Sequence, residues 1–211
     1  MLPASHPSPW SDWWDAHRPY AVLVLGTFLV GGLLGALALE ALTGTTRLQL
    51  LELVQRFLNV TAERSPNPGP LLGVALLQNL RVLGLVYLLG VSVAGLPLVL
   101  LAVLFRGFVL GFAVGFLLGT LHSIGLFVSL IAIVLPNVAI LPAWLATGAG
   151  GVRFSWQLLV RGADGGRWSL ARELAQFTVV ALVAVGLVGV GSALEAVVAP
   201  TLLHWLGPWG V

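Results

Sequence analysis

Cysteine and lysine are absent from this 211-residue chain, and methionine occurs once. Without cysteine there can be no disulfide, no thiolate metal site and no cysteine nucleophile. Charge is scarce as well: charged residues make up 9% of the chain, against about 25% in a soluble globular domain. A folded surface that poor in charge cannot face water over most of its area, so it must face lipid. The ten basic residues are all arginine, scattered through turns and helix ends with no dense cluster. The pI near 9.9 therefore does not point to nucleic acid as a partner. A cleavable signal peptide is not expected, because the first apolar stretch follows a tail of Pro, Ser, Trp and Asp and runs too long for an h-region.

What the chain does contain is long apolar sequence, with 58% hydrophobic residues and a mean hydropathy of +1.01. In hydrocarbon every backbone N–H and C=O must be paired within the protein, which leaves helices or a closed barrel. The apolar runs far exceed the roughly ten residues of a barrel strand and lack its alternation. The expected fold is an all-α integral membrane protein, a bundle of about five transmembrane helices with one amphipathic extramembrane helix.

Punctuation along the sequence divides it into an N-terminal interfacial tail, 1–19, and a single transmembrane domain, 20–211. Trp10, Trp13 and Trp14 suit the headgroup level. The spans are expected at 20–42, 71–94, 97–119, 123–149 and 173–199. Between the first two, the loop 43–70 places Leu50, Leu51, Val54, Phe57 and Leu58 on one helical stripe, with Thr46 as the expected N-cap. Gly95 to Pro97 and Gly119 to Gly125 mark two tight turns, and 150–172 reads as a second polar loop. Trp168, Trp205 and Trp209 supply interfacial aromatics around the last span. Arg18, Arg153, Arg161, Arg167 and Arg172 fall on one side of the bilayer, and Arg47, Arg56 and Arg64 on the other. The positive-inside rule then favours a cytoplasmic N-terminus, an exterior loop 43–70 and a cytoplasmic loop 150–172.

In the third span Gly107, Gly111, Gly115 and Gly119 recur every fourth residue. Four residues turn through 400°, so the glycines drift by only about 40° per step and form one winding groove open to another helix backbone. Gly31 and Gly35 repeat the spacing once in the first span. The groove is expected to pack against another span of the same chain, with a homodimer or larger assembly as the alternative.

Arg81 and Arg106 lie well inside spans, where a charge needs a partner, a wet cavity or a route to the interface. Glu40 and Glu195 are the available acids, and a pair or triad of Glu40, Glu195 and Arg81 fits the topology. Pro136 and Pro142 are expected to break the fourth span, with Asn137 between them, and to free carbonyls to which Arg106 could donate. These five polar residues are the candidate intramembrane network. It either fixes helix register or lines the mid-membrane site of a transporter or channel. No catalytic residues, metal site or cofactor site are expected. His6, His17, His122 and His204 lack metal-ligand spacing, no acid or base is paired with a nucleophile, and no phosphate-binding glycine loop occurs.

The run from Asn79 to Gly119, NLRVLGLVYLLGVSVAGLPLVLLAVLFRGFVLGFAVGFLLG, resembles the central region of the stage II sporulation protein M family. VLPNVAILPAW, from Val134 to Trp144, and GSALEAVVAP, from Gly191 to Pro200, resemble that family's proline-broken span and its last helix with an internal Glu. The resemblance implies a multi-pass protein of the bacterial cell membrane, at the septal or engulfing membrane during endospore formation. It implies partnership with stage II sporulation proteins D and P, which cut peptidoglycan. The family's role in this picture is a non-enzymatic scaffold for septal thinning and engulfment. Many relatives in the wider superfamily carry Pro-His-Gly and a nearby Glu where this chain has Pro136, Asn137 and Val138, so metal or proton chemistry is not carried over.

Overall fold

The protein is described by a computed structural model over residues 9–63, 68–161 and 169–206, all of it helices and the short turns between them. Within those residues five helical segments are long and apolar enough to cross a membrane: His17–Ala41, Pro68–Val91, Gly95–Leu121, Gly125–Arg161 and Leu170–Leu203. The chain is thus an all-α, multi-pass membrane protein. His6, Arg64, Arg167, Trp168 and Trp209 lie outside the described residues, as do the side chains of Trp10, Trp13, Trp14, His122, His204 and Trp205.

Helix α1 (Pro9–Leu37) runs without interruption through Pro19 and tightens into a 3-10 turn at Ala38–Ala41. The tail from Pro9 is thus helical and continuous with the span, whose apolar stretch begins at His17. Helix α2 (Gly44–Glu63) is the amphipathic element of the first loop. Its cap is Thr43 and not Thr46, because the Thr43 hydroxyl accepts from the Thr46 backbone N–H at 3.4 Å. Val54, on the apolar stripe of α2, packs beside Leu117, Val128 and Leu203, while Glu52 and Arg56 form an exposed i,i+4 pair at 2.6 Å.

Helix α3 (Pro68–Val91) ends in a turn at Ser92–Ala94, and Gly95 opens α4 (Gly95–Ser129). This turn comes slightly before the expected one because Pro97 sits in the first turn of α4, where its missing N–H leaves no bond unmade. Ser155 fixes the connection by donating to the carbonyls of Gly90 at 2.9 Å and Ser92 at 3.0 Å.

The chain reverses within α4. A β-carbon on Gly125 would strike the carbonyl of Leu117, and Leu117 and Val128 share one apolar cluster. In a straight helix residues eight apart are separated by about 12 Å, so these contacts require a hairpin bend between Leu121 and Gly125. That bend lies within the turn expected at Gly119 to Gly125.

Helix α5 (Leu135–Arg161) continues beyond the expected loop boundary at Gly150. Gly151, Val152, Phe154, Ser155 and Gln157 are all buried. The small residues among them mark close helix contact and not a loop: the Gly151 position lies against the Gly90 backbone and Phe177. Helix α6 (Leu170–Ala193) is capped by Ser169, whose side chain accepts from the Arg172 N–H, and the chain ends the described region in α7 (Ala199–Leu206).

Two π-helical turns interrupt the fourth and fifth spans, at Leu130–Val134 and Leu194–Val198. Each lies just before a proline, Pro136 or Pro200. A proline cannot donate to the carbonyl four residues back, and its ring pushes that carbonyl away. The preceding residue absorbs the displacement with an i→i−5 bond, from Leu135 N–H to Leu130 and from Ala199 N–H to Leu194. The expected break at Pro136 is thus a one-residue bulge, and Pro142 lies inside continuous α5.

The main core gathers Val24, Leu83, Val99, Val103, Ile140 and Val188 around Trp144. Helix α5 touches α1, α3, α4 and α6 and forms the centre of the bundle. We call the end carrying His17 the proximal face and the end carrying α2 the distal face.

Candidate functional site

The glycine groove of the third span is filled by α1. A β-carbon on Gly107 would collide with the Phe28 carbonyl, one on Gly111 with the Gly32 carbonyl, one on Gly31 with that of Leu104 and one on Gly35 with that of Phe108. Backbone therefore meets backbone along two turns of each helix, the geometry that small residues permit in membranes. A β-carbon on Gly115 would meet the end of the Leu39 side chain at 2.7 Å, and one on Gly119 would meet the Arg47 guanidinium at 3.9 Å. Arg47 Nη2 also donates to the Gly119 carbonyl at 3.4 Å.

Beside this seam a polar network crosses the bundle interior. Arg106 of α4 and Asn137 of α5 each lie roughly 17 Å along the helix from the start of their span. Arg106 Nη2 donates to Asn137 Oδ1 at 3.1 Å. The Asn137 amide donates in turn to the Ile133 carbonyl at 2.8 Å, inside the bulge that Pro136 imposes. Arg106 thus reaches the loosened backbone through Asn137. Its guanidinium also lies over the Trp144 ring, 5.5 Å from the centroid.

Among the described residues Glu195 makes no ion pair with Arg106. Asn79 of α3 donates to Glu195 Oε2 at 2.9 Å and to Ser192 Oγ at 3.2 Å. Asn79 and Ser192 are buried, whereas Glu195 opens onto the bundle surface. Among the described residues, Arg106 Nε and Trp144 Nε1 are buried with no hydrogen-bond partner.

Of the candidate polar residues, the structure pairs Arg106 with Asn137, while Glu195 bonds Asn79. It does not bring Glu40 or Arg81 to them. Glu40 is exposed in the 3-10 turn at the distal end of α1. Arg81 is exposed on α3, two residues and hence about 200° around the helix from Asn79. A triad of Glu40, Glu195 and Arg81 is therefore not formed. Asn79, Ser192 and Trp144 are members that sequence reasoning passed over. Asn79 carried a usable signal, since an amide in the middle of an apolar span seeks a partner.

A second polar cluster ties the proximal ends of α1, α5 and α6. Arg153 pairs with Glu173 at 3.1 Å, the two side chains being 14% and 17% exposed. Arg153 Nη1 donates to His17 Nε2 at 2.7 Å. With its amide oriented to satisfy both neighbours, Gln157 donates to Glu173 at 2.9 Å and accepts from Arg153 at 3.3 Å. Arg153, expected in a loop, is thus a packed helix residue. Beneath it Phe177 stacks on Tyr87 and Phe154, and Tyr87 bonds the Thr178 hydroxyl at 2.8 Å.

These features define a multi-pass helical membrane protein with a glycine seam and a proline-bulged polar interior. The stage II sporulation protein M family matches residues 24–200, which is most of the chain, and the protein belongs to that family. Membership implies a role in sporulation. Comparison with curated proteins and with solved structures returned no match.

Proposed function

We propose that the protein is a non-enzymatic membrane scaffold for peptidoglycan-remodelling enzymes during septal thinning and engulfment, with stage II sporulation proteins D and P as its partners. The observation that carries this reading is the platform at the distal face. There α2 is seated on the bundle through Val54 and contacts α7, and its Glu52–Arg56 side is exposed. A polar helix face held rigidly at the membrane surface suits docking. In the orientation favoured by the arginine count, it lies on the exterior, where peptidoglycan is. The test is co-purification in nanodiscs with the D- and P-type proteins of the same source, followed by peptidoglycan cleavage with and without this chain. Capture that localises or stimulates cleavage, with no cleavage by this chain alone, supports the scaffold. Failure of capture across several lipid compositions refutes it.

A transporter or channel is the second reading, favoured by the π-bulges around Arg106, Asn137 and Glu195, since such bulges recur at functional sites. It requires flux in proteoliposomes that Glu195→Gln abolishes while partner capture is retained.

A further inference from the structure

The side of α3 turned away from Asn79 carries Val74, Gln78, Arg81, Leu85 and Leu88, all exposed. The spacing of three and four residues places them on one stripe. Arg81 lies about 20 Å along the helix from Pro68 and about 15 Å from Val91. It is therefore deep in the bilayer, and it makes no ion pair among the described residues. Side chains on a helix lean toward its N-terminus, which for α3 points Arg81 toward the more distant membrane surface and so hampers its escape to the nearer headgroups. A charge left in hydrocarbon at that depth is costly.

Beside the stripe is a place for a helix. Among the described residues nothing lies within 4 Å of a β-carbon placed on Gly84, one turn from Arg81. Gly84 also lines a groove of about 240 Å³ between α3 and α6, with Leu80, Leu83, Tyr87, Ala181 and Leu182.

We propose that this α3 face docks the transmembrane helix of another protein, one carrying a carboxylate at mid-membrane depth that pairs with Arg81 while Gln78 bonds its remaining oxygen. Charge chooses between this occupant and a second copy. A symmetric pair of copies about an axis along the membrane normal sets equivalent residues at equal depth, and Arg81 would then face Arg81 in hydrocarbon. The proposal rests on the scaffold reading only for why such a partner exists; the unpaired charge is independent of it.

The test uses the full chain in nanodiscs and a fluorescent single-span leucine-alanine peptide with one central glutamate, compared with its all-apolar counterpart. Energy transfer should show about tenfold tighter association of the glutamate peptide. Arg81→Leu should reduce it to the level of the apolar peptide, and Arg81→Glu should transfer the preference to a peptide with a central lysine. Equal association of both peptides, or indifference to Arg81→Leu, overturns the proposal. So does disulfide crosslinking of two copies through Gln78→Cys, which would assign the face to self-association. No peptidoglycan enzyme is present, so failure here leaves the co-purification result standing, and the reverse also holds.

Discussion

Substitution of Gly111 by alanine should weaken the bundle, although alanine is the better helix former. The new β-carbon would meet the Gly32 backbone, with the α-carbon and carbonyl carbon both at 2.7 Å. Carbon atoms in contact sit at about 3.5–4.0 Å, so α1 and α4 must part by roughly 1 Å at this point. Backbone cannot swing aside as a flexible side chain can. The displacement spreads along the seam through Gly107, Gly31 and Gly35, where backbones are equally close. Overpacking of this kind costs about 1–3 kcal/mol, offset by up to ~1 kcal/mol of helix propensity. Against a glycine-to-alanine change that gains the same propensity without the clash, the loss is about 1–3 kcal/mol for Gly111→Ala and more for Gly107→Ala with Gly111→Ala. Gly26 provides the control within α1, since a β-carbon there has nothing within 4 Å. The assay is reversible unfolding in mixed micelles or by steric trapping, comparing Gly111→Ala with Gly26→Ala. Equal stability of the two variants would refute the backbone seam.

Other expectations follow from the polar contacts. Asn137→Leu removes both the acceptor for Arg106 and the donor to the Ile133 carbonyl, and should cost about 1–3 kcal/mol in the same unfolding assay. Ser155→Ala should lower stability by about 1–2 kcal/mol and raise hydrogen exchange at the turn from Ser92 to Gly95, whose preceding helix end it caps. A double-mutant cycle of Arg153→Met and Glu173→Gln should give a coupling of about 1–2 kcal/mol, well above an exposed pair such as Arg56–Glu52. Because the chain has no native cysteine, single cysteines at Thr45 and Ser169 report sidedness. A membrane-impermeant maleimide should label Thr45→Cys from outside intact cells and Ser169→Cys only after lysis.

Much of the architecture was legible because hydrophobic length and turn residues act locally. The apolar runs give five spans, and the residues from Gly119 to Gly125 give a reversal in a stretch that otherwise stays helical. The glycine repeat shows a face of close approach, but not which helix fills it. Gly150 and Gly151 misled for a related reason. Small residues signal both a loop and a tight helix crossing, and only the position of Phe177 and Gly90 separates the two. Pairing across helices was the least accessible. Arg81 and Arg106 look alike in sequence, yet a rotation of one helix turns the first outward and the second onto Asn137 and Trp144. The proximal cluster was hidden by the same ambiguity, because Arg153 beyond two glycines reads as a loop residue until its partners on α1 and α6 are in place.

The two bulges also divide labour along the chain. One extra residue in a turn shifts everything beyond it by about 100° around the helix axis. The fourth and fifth spans are therefore each two segments out of phase, joined at a proline. The longer segments, with Ile140 and Val188, supply the main core, and the shorter ones, with Val128 and Leu203, supply the distal cluster under α2. If Pro200 were replaced and its bulge healed, Leu203 would rotate off that cluster with no change of its own. The seating of the distal platform is thus set by a phase angle fixed inside the membrane.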